Sequence, residues 1–226
     1  MPSMKTVVLG LATAAERTTI SRLRHDVYAR ELGQHPVNVQ SALSDPLDAF
    51  NEYIVARRGD AIAGFVSVTP PGHGAYAIDK YLTRAELPFA CDERLYEVRL
   101  LTVLPEFRRR PIAGLLMYAA LRWIEGRGGT RIVAIGRREV LKLYCKVGLQ
   151  LLGREIQAGA VRFELMTATT RDLSDRFARE TRHQRIVHRW VDWQLAAPLD
   201  GQIGVVAPCR TRVTATNDNG QWNQPS

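Results

Sequence analysis

The chain has 226 residues, of which 46% are hydrophobic and 24% charged, a composition that allows one sizeable core plus an appendage. No apolar run reaches the roughly 18 residues needed to span a bilayer, and Cys91, Cys145 and Cys209 form neither a CxxC nor a Cys/His ligand spacing. This argues against a membrane span, a disulfide framework and a metal site, and gives a cytoplasmic reading. The formal charge of +8 points to an anionic partner: nucleic acid, an acidic carrier protein or a phosphorylated cofactor.

"MKTVVLGLATAAE" has the outline of a secretory signal, but a first strand, "TVVLGLA", explains more of it. Thr13 is then an N-cap, with Glu16 reaching back as a capping box. Ile20, Leu23, Val27 and Leu32 recur at helical spacing up to Gly33. Residues 34–51 lack periodicity, contain Pro36 and Pro46, and read as a long loop. "YIVARRGDAIAGFVSV" is expected to be a β-hairpin turning at Gly59 and Asp60. The stretch 70–93, rich in Pro and Gly, reads as a surface excursion with a short helix near 79–86.

"LYEVRLLTVL" is too apolar for a half-exposed strand and is expected at the centre of a sheet. A helix follows from about Pro111 to Arg127, apolar at Ile112, Leu115, Leu116, Ala119 and Trp123. "TRIVAIG" is another strand, "RREVLKLYCKVG" another helix, and "LQLLGRE" and "VRFELMTA" two more strands. Strands interleaved with helices in this order imply an α/β (α+β) fold with a central mixed sheet flanked by helices. The predicted organisation is a domain over 1–168, an amphipathic helix within 169–197, and an irregular, disordered tail over 198–226.

The sharpest local signal is "LPEFRRRPIAGLL": a central strand, three arginines, then a helix. A helix N-terminus offers N–H groups without intrahelical partners and a partial positive charge, which suits a phosphate, and flanking arginines add directional donors. Glu97 and Arg99 share one face of the central strand, a costly placement unless they pair or act. Tyr144 lies in the helix "KLYCKVG" with Leu141 and Val147 nearby. An ion pair and simple core packing, respectively, are the alternatives for these residues.

With "LLTVLPEF" before Arg108-Arg109-Arg110-Pro111-Ile112-Ala113, and "LYCKVGLQLLG" further on, the chain resembles the Gcn5-related N-acetyltransferase (GNAT) superfamily over about residues 5–168. The resemblance implies a GNAT-like acyltransferase fold. It implies an acyl-CoA, acetyl-CoA first, held by Leu101, Val103, Arg108, Arg109, Arg110, Ile112, Ala113 and Gly114. It also implies Glu97 as general base and Tyr144 as general acid to the departing thiolate. Pro111 stands where the family has glycine and has no N–H to offer a phosphate. An acyl carrier protein thioester is therefore an alternative donor and a candidate partner.

"LRHDVYARELGQ", "LSDPLDAF" and "GFVSVTPPG" resemble in part the acyl-homoserine-lactone synthase branch. Arg24, Tyr28, Asp45, Asp48, Gly64 and Glu97 match its patterns, whereas Gln34, Leu43, Ser67 and Leu100 depart from them. The departures argue against lactone synthesis and leave a relative that acylates another small-molecule amine. Arg24, Tyr28, Asp45, Asp48 and Arg99 are its candidate acceptor contacts. Three further readings stay open: a carrier-protein-dependent N-acyl amino acid or autoinducer-like synthase, a non-catalytic acyl-thioester binder, and a nucleic-acid binder using the 171–196 helix. For Trp190 and Trp193 a packing or homodimer face is favoured over base stacking.

Overall fold

The computed structural model describes residues 7–179 and 191–195. Eight strands form one mixed sheet: β1 (Val7–Leu11), β2 (Glu52–Arg58), β3 (Ala61–Thr69), β4 (Leu95–Val103), β5 (Arg131–Arg137), β6 (Gln150–Ala158), β7 (Val161–Thr169) and β8 (Val191–Gln194), in the order β6-β7-β5-β4-β3-β2-β1-β8. The helices are α1 (Ala14–Arg24), α2 (Ile112–Glu125), α3 (Leu141–Val147) and α4 (Thr170–Arg179).

Strand alternation sends the residues of β2 to two cores. Ile54 and Ala56 join the large core with α2, where Leu116, Ala119 and Ile124 are fully buried. Tyr53 and Val55 join Ile20 of α1 on the opposite face. The stretch 70–93 is a correction to the surface reading, because Ile78, Leu82 and Leu87 pack with Leu95, Val133 and Leu165 to cover that face of β4, β5 and β7. Instead of a helix near 79–86 it holds two 3₁₀ turns, Ala77–Lys80 and Arg84–Glu86.

Thr13 and Glu16 form the capping box that starts α1. The helix then widens into a seven-residue π-helical segment, His25–Glu31, before Gly33 turns with φ of 62°. Helix α2 begins at Ile112 with Pro111 as its N-cap, one residue later than the sequence implies. The 171–196 helix needs a larger correction. Helix α4 ends its described span at Arg179, and Val191–Gln194 pairs parallel to β1. Phe177 and Trp193 both pack on Tyr118 of α2, with ring centroids 5.1 and 5.5 Å away. These aromatics therefore cover their own sheet. Trp190 and the 198–226 tail lie outside the described residues.

One irregularity positions everything that follows. Strands β4 and β5 run parallel and pair over four rungs, Leu95 with Arg131 through Val98 with Ala134. Beyond them β5 continues with β7 as far as Arg137, and β4 continues to Val103 against β3 alone. A bulge shifts the β3–β4 register between Phe65 and Ser67, and opposite it Leu100 adopts φ of 56°, rare for a residue with a side chain. Leu100 and Leu101 are thus left without a ladder partner on either side.

Candidate active site

Where the two strands part, a cavity of about 200 Å³ opens. Leu100 and Leu101 line it from β4, Ile135 and Arg137 from β5, and Tyr144 from α3. The opposite wall holds Arg24 and Tyr28 from α1 and its π-helical extension, then His35 and Asp45 from the loop, and Ala77, Lys80 and Tyr81 from the excursion.

Four of the expected acceptor residues form one network. Arg24 donates to both Asp48 oxygens, at 2.9 and 2.7 Å, and to Asp45 Oδ2 at 3.0 Å. Arg99 donates to that same Asp45 oxygen at 2.6 Å. Tyr53, which sequence reasoning passed over, accepts from Arg24 at 3.0 Å and donates to Asp48 at 2.7 Å. Burial works against the Asp45 charge, but Arg99, Arg24 and the Leu47 N–H outweigh it and hold the carboxyl below the usual range. Asp45 and Asp48 also make a capping box for the 3₁₀ turn Pro46–Ala49, which brings the two carboxylates to Arg24. The fifth residue, Tyr28, shares a hydrogen bond of 3.0 Å with the Thr102 hydroxyl, tying the π-helical segment to β4.

Glu97 is elsewhere. It is fully buried and does not line the cavity. Its oxygens accept from the Ala77 N–H at 2.7 Å, the Ile78 N–H at 2.9 Å and the Thr69 hydroxyl at 3.4 Å. Burial pushes its carboxyl up, opposed by the Ala77 N–H, Arg99, the Ile78 N–H and Thr69. A carboxylate so enclosed anchors the Ala77–Lys80 turn to the sheet, and this geometry does not suit the expected exchange of a proton with an acceptor. Neither does the alternative of an ion pair with Arg99 hold, because Arg99 pairs with Asp45.

Tyr144 does reach the cavity. It is seated by Gly136 of β5, where an added Cβ would come within 2.6 Å of the Tyr144 ring and 2.2 Å of Met166. Burial, followed by the neighbouring Tyr28, pushes the phenol well up against the pull of Arg137, so it stays protonated across the neutral range. His35 was not anticipated. Burial, then Arg24 and Lys80, push its imidazole below the usual range against Asp45, leaving it neutral at pH 7.

At the far end of β4, Arg108 donates to the Val103 carbonyl at 3.1 Å and pairs with Glu31 at 2.6 Å. Arg109 and Arg110 are exposed beside it. The Ile112 side chain is buried in the core, so only its main chain belongs to this corner. Ala113 and Gly114 complete the first turn, and a Cβ on Gly114 would meet nothing within 4 Å.

The chain belongs to the acetyltransferase (GNAT) family, whose sequence profile matches residues 17–149. It is accordingly an acyltransferase. Among solved structures it is similar to a CoA-dependent acyl-homoserine lactone synthase, BjaI, determined with SAM and isopentyl-CoA. The TM-score is 0.64 at 17% identity, covering 86% of this chain and 94% of that one. It is similar also to the AHL synthase LasI, with a TM-score of 0.62 at 14% identity over 74% of this chain and 91% of that one. FeeM, an N-acyl amino acid synthase from uncultured soil microbes, gives a TM-score of 0.59 at 13% identity over 76% and 95%. At these identities the likeness concerns the fold. No curated protein matches in sequence.

Proposed function

We propose that the protein is an N-acyltransferase that moves an acyl group from an acyl-CoA to the amine of a small molecule by direct attack. The observation that carries this reading is the parting of β4 and β5 into a cavity shared by Leu100, Leu101 and Tyr144 on one side and by His35 and the Arg24–Asp45–Arg99 network on the other. The donor fits the unpaired Leu100–Leu101 main chain, and its phosphates fit the first turn of α2 beside Arg108, Arg109 and Arg110. It supplies a thioester whose C–S bond breaks as the C–N bond forms.

An amine arrives largely as ammonium, with a lysine-like pKa near 10. His35 is the neutral acceptor available for its proton, since Asp45 is committed to two arginines and Glu97 is enclosed. Tyr144 gives its proton to the departing sulfur and regains one from solvent, into which the acylated nitrogen releases its second proton and His35 the first. Main-chain N–H groups of the Leu100–Leu101 segment serve the carbonyl oxygen as charge builds there. Glu97 is a positioning residue for the Ala77–Lys80 turn.

A second reading of the donor, an acyl carrier protein thioester, is favoured by one observation. Pro111 removes an N–H from the start of α2 while Arg109 and Arg110 stand exposed for an acidic partner. Thiol release from acetyl-CoA, longer acyl-CoAs and an acylated carrier protein, across a panel of amines, tests both. Wild type is expected to turn over at least one pair. His35→Gln should lower kcat about 100-fold and remove the acidic limb of the pH–rate profile, which rises as a base loses its proton. No thiol release from any pair overturns the reading, and an unchanged profile in His35→Gln removes the base.

A further inference from the structure

Leu100 keeps its left-handed φ of 56° although it carries a side chain, a conformation that is costly unless its surroundings over-determine it. Two contacts do so. Its side chain packs against the buried cluster of Ile20 and Phe65 and against that of Val27 and Tyr28, on the side of α1 and the π-helical segment. Its carbonyl accepts the Thr102 hydroxyl at 3.0 Å.

A hydroxyl has one hydrogen to give. The Thr102 hydrogen goes to Leu100, because a carbonyl can only accept, so in the 3.0 Å contact between Tyr28 and Thr102 the phenol is the donor. No other assignment satisfies both hydroxyls among the described residues. A directed chain thus runs from Tyr28 through Thr102 to the Leu100 carbonyl, and with Tyr28 8% and Thr102 3% exposed, water competes little for it.

Tyr28 fixes the neighbouring loop as well. Its carbonyl accepts the Gln34 N–H at 2.9 Å and the His35 N–H at 3.2 Å. One residue of the π-helical segment therefore sets the backbone of the proposed base and, through Thr102, the main chain where β4 and β5 part. The peptide joining Leu100 to Leu101 is planar and trans, so its N–H points opposite to its carbonyl. Holding the carbonyl on Thr102 turns the Leu101 N–H away from Thr102.

We infer that Tyr28 and Thr102 are positioning residues that keep the Leu101 N–H directed at the carbonyl oxygen of the thioester. The inference rests on the acyl-transfer reading of the same cavity and names what holds its main-chain donor in place. It gives Tyr28 a role other than acceptor contact, since its phenol hydrogen is already committed to Thr102.

Isotope-edited infrared spectroscopy tests this without an amine. Acetyl-CoA labelled at its thioester carbonyl is bound to wild type, Thr102→Ser, Thr102→Val and Tyr28→Phe, and the HN–Hα coupling of labelled Leu100 reports its φ in each. Wild type and Thr102→Ser should lower the carbonyl stretch relative to free acetyl-CoA and share one Leu100 coupling. Thr102→Val, similar in shape but without the hydroxyl, should return the stretch towards the free value and change the coupling while acetyl-CoA affinity holds. Its turnover should fall about 10- to 100-fold, the effect of a misplaced reacting group. Tyr28→Phe should lie between, and carries the test if Thr102→Val does not fold. No shift in wild type with acetyl-CoA bound, wild-type behaviour in Thr102→Val or Tyr28→Phe, or equal losses in the Ser and Val variants would each overturn the inference. A coupling that changes in Thr102→Val, in a protein whose wild type binds neither acetyl-CoA nor an acetylated carrier protein, would leave the Tyr28–Thr102 hold on Leu100 standing and remove the acyl-transfer reading.

Discussion

Arg99, in the middle of β4, reaches Asp45, in the loop after the π-helical segment, at 2.6 Å. Because Asp45 also holds Arg24, this one carboxylate joins the sheet, the first helix and the loop around the mouth of the cavity. Removing it would take the carboxylate from the largely buried Arg99 guanidinium and leave Arg24 with Asp48 alone. Asp45→Ala should cost about 3 kcal/mol in urea unfolding, and Arg99→Ala in the same background should cost little more. A cycle showing simple additivity would mean the contact is energetically idle.

Glu97→Gln keeps the side chain's shape but puts an amide donor against one of the two N–H groups, that of Ala77 or that of Ile78, which bind separate oxygens. A destabilisation of about 1–3 kcal/mol is expected. Hydrogen exchange at those two amides should rise by more than the global change in stability explains. The shape of the pH–rate profile should persist, whereas loss of its acidic limb in this variant would return the base to Glu97.

Gly136→Ala places a methyl group where the Tyr144 ring and Met166 already stand. Overpacking of this kind costs about 1–3 kcal/mol. The variant should lose turnover with a small effect on donor binding. Tyr144→Phe should lower kcat about 100-fold with KM nearly unchanged, measured by thiol release. A fully active Phe variant would show that thiolate leaves unaided.

Glu16 supplies a pH test unrelated to the cavity. The Arg57 hydrogen bond, at 2.5 Å, leads the influences that lower its carboxyl to about 2 despite some burial, and the capping contacts with Thr13 add to it. A depressed folded-state value means the stabilisation is complete above the ordinary carboxylate range and fades as pH falls towards about 2. Glu16→Gln should therefore be less stable than wild type by about 1–2 kcal/mol at pH 7 after solvent screening. Denaturation midpoints of the two proteins should converge in acid.

Features encoded locally could be read from the sequence. Thr13 and Glu16 sit three apart before an apolar helix, and the capping box is there. Ile112, Leu115, Leu116 and Ala119 repeat at helical spacing, and all four are buried in α2. The pairing partner of a charge has no such signature. Glu97 and Arg99 share a strand face, yet Arg99 bonds to a carboxylate far back in the chain while Glu97 bonds to backbone. Ile78, Leu82 and Leu87 cover the sheet from 3₁₀ turns and loop, so no period announces them. His35, Lys80 and Arg137 come from three separate segments, and only folding brings them to one cavity. The Val191–Gln194 strand is too short to outweigh the helical spacing read across 171–196.

That last strand has a consequence beyond topology. By lying along β1 it finishes one border of the sheet with a segment from the opposite end of the chain. A shortened form ending ahead of Val191 would bare a row of N–H and C=O groups on β1, an invitation to another chain. The segment works as a hem, and cutting it should reveal itself as self-association under light scattering before any catalytic defect emerges.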